Sequence, residues 1–176
     1  DNCFYKEKIL VIYPGIDHEK KQGQIEIPPL NNRIVIGIIG HLSKRKGHEV
    51  LLNSIGMINN KYKNIKLLII GSDVRENQDE YSRKYHLKKL AHSLDISNII
   101  IWINYTKNIF NYLRCMDILV LPSVKDESFG RVIVEGMALG VPVIGSKTGG
   151  IPEIILHKEN GLLFEMGSSQ DLSNKI

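Results

Sequence analysis

Short apolar runs that alternate with longer amphipathic segments are the feature that most constrains how this 176-residue chain can fold. The runs are rich in β-branched residues and nearly uniform in apolar character, as strands buried on both faces should be. Six of them are predicted as strands: Ile34–Ile39, Ile65–Ile70, Asn98–Ile103, Asp117–Leu121, Val141–Ile144 and Leu162–Phe164. Helices are predicted between them, near residues 47–60, 78–94, 107–115 and 129–139. The alternation predicts an α/β fold, a Rossmann-like parallel sheet with helices on both faces.

Turn-forming and capping residues mark the ends of the predicted elements. Gly40, Gly71 and Gly145 each follow a predicted strand, where the chain has to turn tightly. Thr106 is predicted to cap the third helix and Ser128 the fourth. Their side-chain oxygens can accept hydrogen bonds from the first amides of a helix.

The first 32 residues differ from the rest of the chain. Residues 9–13 form one apolar run, Pro14-Gly15 interrupts it, and a polar, proline-bearing stretch follows. We therefore predict that residues 1–17 are the tail of a preceding N-terminal domain and that residues 18–32 are a linker loop. Residues 33–176 are then the ligand-binding domain, and the chain is expected to be part of a longer polypeptide.

Composition narrows the function classes. Hydrophobic residues make up 43% and charged residues 24% of the chain, which is typical of a globular domain. The net charge of +4 fits an anionic ligand, but the lysines are scattered, so nucleic acid is not an expected partner. Neither a signal peptide nor an apolar run of about 20 residues is visible, and a cytoplasmic location is expected. The six histidines form no i, i+4 pair and Asp-x-Asp is absent, so neither a metal nor a cofactor is expected.

Two polar loops follow predicted strands, at the edge where open α/β sheets bind ligands. The loop at residues 40–47 carries Arg45 and Lys46, and the loop at residues 122–131 leads into a helix. With Ser128 as the cap, the amides of residues 129–131 would be donors at a helix start, which is a ready phosphate site. The two cations could reach the same phosphate. A solvated charge run is the alternative interpretation of Arg45 and Lys46.

Two carboxylates flank this predicted helix start. If Glu127 and Glu135 belong to one helix, eight residues of rise separate them by about 12 Å. That spacing can bracket a nucleotide sugar, and it is too long for a glycosidase pair, which needs roughly 5–9.5 Å. The alternative is a surface Glu135 that pairs with Arg131 at i, i+4.

The same region carries a specific resemblance. Residues 127–144 (ESFGRVIVEGMALGVPVI) and 148–153 (TGGIPE) resemble the donor-site signature of glycosyltransferase family 4, whose members are retaining enzymes of the GT-B fold. The loop from Gly40 to Gly47 resembles the family's phosphate-contacting loop. Residues 11–17 and 160–164 resemble further segments of the family, so the likeness runs along nearly the whole chain.

The resemblance implies the C-terminal half of a GT-B enzyme, which binds a nucleoside diphosphate sugar and transfers a hexose-type sugar without a metal. Glu127 matches the residue on the sugar hydroxyls, Glu135 the one on the ribose, and Lys46 the one on the diphosphate. The amides of Phe129 and Gly130 match further diphosphate contacts, and the base is expected near Trp102, Ile103 and Asn104. The predicted donor-binding residues are Gly40, His41, Arg45, Lys46, Trp102, Ile103, Glu127, Ser128, Phe129, Gly130, Arg131 and Glu135. Lys46, Glu127 and Arg45 are also predicted to take part in catalysis.

The resemblance further implies an acceptor site in the N-terminal domain, so this chain alone should bind nucleotide but transfer almost no sugar. The full-length protein is expected to contact the inner face of a membrane at its periphery. Two departures from the family are His41, where an arginine is usual, and Gly136, where alanine is usual. Glycine there costs up to about 1 kcal/mol in a helix interior. The alternatives are a nucleotide-sugar epimerase on a related GT-B scaffold and a non-catalytic nucleotide-sugar sensor or partner-binding module.

Overall fold

The computed structural model describes residues 32–73 and 82–176, together with Gly15, Ile27 and Leu30. Apart from those three residues and Asn32, the predicted tail and linker lie outside the described residues. The division of the chain at residues 17 and 32 therefore stays a prediction. The start of the helix predicted near residues 78–94 also lies outside the described part.

The described residues contain one six-stranded parallel sheet in the order β3-β2-β1-β4-β5-β6. The strands are β1 (Ile34–Ile39), β2 (Ile65–Ile70), β3 (Ile100–Ile103), β4 (Ile118–Leu121), β5 (Val143–Ser146) and β6 (Leu162–Phe164). In register, Ile36 of β1 lies between Leu67 of β2 and Ile118 of β4. The strand order reverses between β1 and β4, so the loops that follow these two strands meet at the carboxyl edge of the sheet.

The described residues contain six α-helices, five of them between strands and the last after β6. They are α1 (His48–Ile58), α2 (Arg83–Ser93), α3 (Ile109–Leu113), α4 (Arg131–Ala138), α5 (Ile151–Ile154) and α6 (Ser169–Lys175). Short 3-10 turns at Lys44–Lys46 and Ser97–Ile99 precede α1 and β3.

Two hydrophobic cores lie on opposite faces of the sheet. One core packs α1, α2 and α6 against the strands, and it includes Leu51, Leu87 and Leu172. The other packs α3, α4 and α5 there, and it includes Leu113, Ile133 and Ile151. Successive strand residues point to opposite faces, so both faces of the sheet are apolar and covered. The prediction of a Rossmann-like parallel sheet with helices on both faces is confirmed.

The fifth strand is displaced from its prediction. It begins at Val143 rather than Val141, after Pro142, which has no amide hydrogen for the ladder and whose carbonyl accepts from Leu119. Gly145 therefore lies inside β5 and not in a turn after it. A Cβ atom on Gly145 would come within 2.6 Å of Ile151 Cγ2 in α5. Glycine is needed there because α5 packs tightly onto the sheet.

The two predicted helix caps were wrong. Gly130, with φ +71°, is the N-cap of α4, and Ser128 lies upstream in the loop. Asn108 is the N-cap of α3, while Thr106 Oγ1 accepts a hydrogen bond from the Asn108 amide at 3.0 Å. In both cases the helix begins later than the hydrogen-bonding side chain suggested.

Candidate functional site

The loops after β1 and β4 meet through charged side chains. Lys46 Nζ lies 2.6 Å from Glu127 Oε2. The Arg45 carbonyl accepts from the Val124 amide at 2.9 Å, and Arg45 Nη1 donates to the Asp126 carbonyl at 3.4 Å. The structure thus places the two predicted phosphate-binding cations beside the carboxylate predicted to bind the sugar.

Glu127 is a buried carboxylate held from several sides. Glu127 is only 8% exposed. Ser123 Oγ donates to its Oε2 at 3.1 Å, and Lys46 contacts the same oxygen. The Gly150 amide donates to the Glu127 carbonyl at 2.8 Å. Burying a carboxylate is costly unless donors compensate it, and charge-assisted bonds of this kind are the strong ones. The side chain is therefore fixed at the carboxyl edge of the sheet.

The start of α4 lies next to Glu127. Gly130 is buried at the N-cap in a left-handed conformation, and Arg131 begins the helix. The first amides of a helix have no partner within it, and the helix dipole favours an anion at this end. Glu127 precedes the helix, so the distance of about 12 Å that assumed one continuous helix does not apply to this pair of glutamates. The reason is the left-handed turn at Gly130.

Glu135 pairs with Arg131 one turn earlier in α4. Arg131 Nε donates to Glu135 Oε1 at 3.1 Å, as the alternative interpretation proposed. Glu135 is not a surface residue, however: its side chain is 7% exposed, against 69% for Arg131. An exposed arginine covers a buried carboxylate, and it could be displaced by another donor.

Gly136 has a packing role in the same helix. A Cβ atom there would come within 2.6 Å of Leu119 Cδ2 in β4. The glycine lets α4 approach the sheet closely, which accounts for this departure from the family pattern.

A cavity of about 130 Å³ lies at the carboxyl ends of β1, β2 and β3. It is lined by Ile39, Gly40, His41, Ile70, Gly71, Ser72, Tyr105, Thr106 and Ile109. Of the residues predicted to bind the donor, only Gly40 and His41 line it. Trp102 and Ile103 instead pack against the two cores, on opposite sides of the sheet.

Sequence reasoning missed Ser72 and Tyr105 at this cavity. The Tyr105 amide donates to Ser72 Oγ at 2.9 Å, and Tyr105 is 67% exposed. An aromatic residue two positions beyond a predicted strand was the available signal for Tyr105. Asn104, beside it, accepts a hydrogen bond from Lys84 Nζ at 2.9 Å.

His48, the first residue of α1, is buried behind Lys46. It is 1% exposed, and among the described residues neither ring nitrogen has a hydrogen-bond partner. Burial lowers the pKa of His48 from 6.5 to about 4, and the cations Arg83 and Lys46 add to this. His48 is therefore neutral at physiological pH.

Residues 32–73 and 82–176 hold neither a metal-ligating cluster nor a membrane-spanning helix. In these ranges no three His, Cys, Asp or Glu side chains are grouped so as to hold a metal ion. None of the helices there has the length and apolar content that a membrane span requires.

Comparison with known protein families gives a match that agrees with this fold. Residues 19–176 match the family described as glycosyl transferases group 1. The chain belongs to this group 1 glycosyltransferase family.

Curated relatives extend beyond this chain. The capsular polysaccharide biosynthesis glycosyltransferase CapM of Staphylococcus aureus is 31% identical over 147 residues, which are 84% of this chain and 37% of CapM. An uncharacterized glycosyltransferase of Methanocaldococcus jannaschii is 31% identical over 170 residues, or 89% of this chain and 41% of that protein. The chain thus spans about two fifths of the length of these relatives.

Solved structures share the fold. HepE of Anabaena in complex with UDP and glucose has a TM-score of 0.76 and 29% identity, over 82% of this chain and 38% of HepE. The C-terminal domain of LpcC from Francisella tularensis, a group 1 family protein, has a TM-score of 0.71 and 33% identity. That match covers 81% of this chain and 72% of the LpcC domain.

Proposed function

We propose that this chain is the nucleotide-sugar donor-binding domain of a retaining, metal-independent glycosyltransferase that transfers a hexose-type sugar. The observation that carries the proposal is the contact of 2.6 Å between Lys46 Nζ and Glu127 Oε2. It joins a cation suited to binding phosphate and a carboxylate suited to binding sugar hydroxyls, at the point where the strand order reverses. Anabaena HepE, which shares the fold, is described in complex with UDP and glucose and with UDP-glucose.

The diphosphate is assigned to Lys46, Arg45 and the first amides of α4. In this proposal Lys46 exchanges its contact with Glu127 for a phosphate oxygen when the donor binds. When the bond between the sugar and the diphosphate breaks, negative charge grows on the leaving diphosphate. A positioned ammonium group and helix amides stabilise that charge without reorganisation.

The sugar and nucleoside are assigned to the two ends of the site. Among the described residues, the hydrogen bonds from Lys46 and Ser123 to the Glu127 carboxylate fall on Oε2, so Oε1 is placed to accept from sugar hydroxyls. Glu135 accepts from the ribose hydroxyls after Arg131 moves aside. The base enters the cavity beside Ser72, where the exposed ring of Tyr105 offers a stacking surface.

The acceptor is assigned to a part of the enzyme outside this chain. Retention is proposed to follow from attack of an acceptor hydroxyl on the face that the diphosphate leaves: the new C–O bond forms as the bond between sugar and diphosphate breaks, and the hydroxyl proton passes to the departing diphosphate oxygen. CapM is named for capsular polysaccharide biosynthesis, which supports a glycan acceptor; a lipid-linked acceptor is the alternative. A lipid-linked acceptor would bring the full-length protein to the inner face of a membrane. The relatives cited above are named as glycosyltransferases, and nothing in the comparisons supports the epimerase alternative.

Calorimetric titration tests the proposal with three matched ligand pairs in the presence of EDTA: UDP with UDP-glucose, GDP with GDP-mannose, and ADP with ADP-glucose. At least one pair should bind without a divalent ion. Glu135→Ala should weaken both members of that pair about tenfold or more, because it removes a charged acceptor for ribose hydroxyls. Glu127→Gln should weaken only the nucleotide sugar and should tighten the bare diphosphate, since it releases Lys46.

The control is Glu159→Ala, in the turn before β6 at the opposite edge of the sheet, which should change neither affinity. Strict dependence on a divalent ion would count against the proposal. So would a Glu127→Gln variant that loses diphosphate affinity as strongly as Glu135→Ala. Sugar transfer by the full-length protein separates an enzyme from a non-catalytic sensor.

A further inference from the structure

Ser123 is a fully buried serine whose hydroxyl points at the carboxylate of Glu127. It is 0% exposed, and its Oγ donates to Glu127 Oε2 at 3.1 Å. Ser123 immediately follows Pro122, which ends β4. The hydroxyl therefore projects from just beyond the end of β4 onto a residue four positions later in the same loop.

Ser123 is itself held by the neighbouring strand. Ser146, the last residue of β5, is also 0% exposed, and its Oγ donates to the Ser123 carbonyl at 2.7 Å. Ser146 thus holds the Ser123 backbone from β5, while the Ser123 side chain contacts Glu127. Because each hydroxyl has one hydrogen to donate, the Ser123 hydrogen is committed to the carboxylate.

The bond from Ser123 to Glu127 matters because Lys46 has two competing tasks. Lys46 shares Glu127 Oε2 with Ser123. The proposed function moves Lys46 to the diphosphate, which would leave a buried carboxylate with less compensation. Ser123 is the donor that can stay on Oε2 during this exchange and keep Oε1 turned toward the sugar.

We propose that Ser123 is a positioning residue for the donor sugar: it holds Glu127 in the orientation that accepts from sugar hydroxyls. The inference rests on the proposed function, and it adds a residue that contacts neither the sugar nor the diphosphate. Its effect should appear as selectivity between a nucleotide sugar and the bare nucleoside diphosphate, and not as nucleotide affinity in general.

The experiment measures the ratio of dissociation constants for bare diphosphate and nucleotide sugar, using whichever of the three matched pairs binds. Ser123→Ala removes the hydroxyl, and Ser123→Cys keeps a side chain of similar size that is only a weak donor. Both should lower the ratio roughly tenfold, as expected for the loss of a hydrogen bond to a charged group. The bare diphosphate should bind both variants within about twofold of the parent.

The matched control is Ser54→Ala, which removes another fully buried serine whose Oγ donates to the Leu51 carbonyl within α1. It should leave the ratio unchanged. If the parent discriminates and the Ser123 variants keep the same ratio, or if Ser54→Ala lowers it equally, the positioning role is wrong and the proposed function stands. If the parent binds none of the three pairs, the proposed function fails and this inference fails with it.

Discussion

Lys46 and Glu127 lie 81 positions apart in the chain, and their side chains form an ion pair between the loop after β1 and the loop after β4. A lysine beside a carboxylate is the ordinary way to hold two buried charges. Here both groups also suit a ligand that carries phosphate at one end and hydroxyl groups at the other. The ion pair therefore compensates both charges, and each partner can exchange it for a ligand contact.

His48 makes stability depend on pH. Above pH 6.5 the His48 side chain is neutral in both the folded and the unfolded state. Between pH 6.5 and about pH 4 it is protonated in the unfolded state but still neutral in the folded state. The free energy of unfolding should therefore fall by about 3 kcal/mol as the pH drops through this window. His48→Leu should remove that part of the decline, as measured by urea unfolding at several pH values.

The control for this prediction is His92→Leu, which removes an exposed histidine of α2. It should preserve the parent's decline in stability. His48→Leu should be no less stable than the parent near neutral pH, because it deletes two buried nitrogens that lack partners among the described residues. An unchanged pH dependence in His48→Leu would show that other groups cause it.

At the scale of elements, the turn between the 3-10 segment and α1 brings the two site loops together. Gly47 is the N-cap of α1 with φ +67°, and a Cβ atom there would lie 1.8 Å from the Pro122 carbonyl oxygen. The close approach places Lys46, the preceding residue, against the loop after β4. Gly140 offers a comparison, with φ +72° and nothing within 4 Å of a Cβ atom.

Alanine at these two glycines separates backbone strain from loop contact. Gly140→Ala should cost about 1–2 kcal/mol of unfolding free energy, the price of a left-handed alanine. Gly47→Ala carries the same strain and must also displace the Pro122 backbone, so it should cost at least about 2 kcal/mol more and weaken nucleoside diphosphate binding. Urea unfolding and calorimetry measure both effects. Equal losses in the two variants would mean that the contact between the loops is not needed.

At the scale of the whole molecule, the proposed ligand contacts both sides of the point where the strand order reverses. A nucleoside diphosphate at about 100 times its dissociation constant should stabilise the fold by roughly 2.7 kcal/mol. For a domain of this size, that raises the melting temperature by roughly 5–10 °C. Thermal unfolding with and without EDTA measures the shift, and the free nucleoside is the control. A shift that appears only with a divalent ion would contradict metal independence.

Local periodicity was enough to place most elements of the sheet. The strands β1, β2 and β6 occupy the predicted residues, because a run of β-branched residues bounded by turn formers indicates a buried strand without reference to the rest of the chain. The observed starts of β5 and α4 differ from the predicted ones. Pro142 cannot donate to the strand ladder, and Gly130 forms a left-handed turn before α4. The hydrophobic pattern was therefore enough to predict the fold class, whereas the exact ends of the elements depend on tertiary contacts.

The sequence by itself determined the alternation of strands and helices, the apolar character of both sheet faces and the residue types of the two polar loops. Only the tertiary structure decided that β1 and β4 are neighbours, and this pairing brings Lys46 to Glu127. It also decided that Ser123 contacts that carboxylate and is held in turn by Ser146, and that Trp102 packs against the core while Tyr105 reaches the cavity. The physical reason is the sequence separation of the interactions. Hydrophobic periodicity is local and indicates whether a residue is buried, whereas strand pairing and side-chain contacts join residues that are distant in the chain.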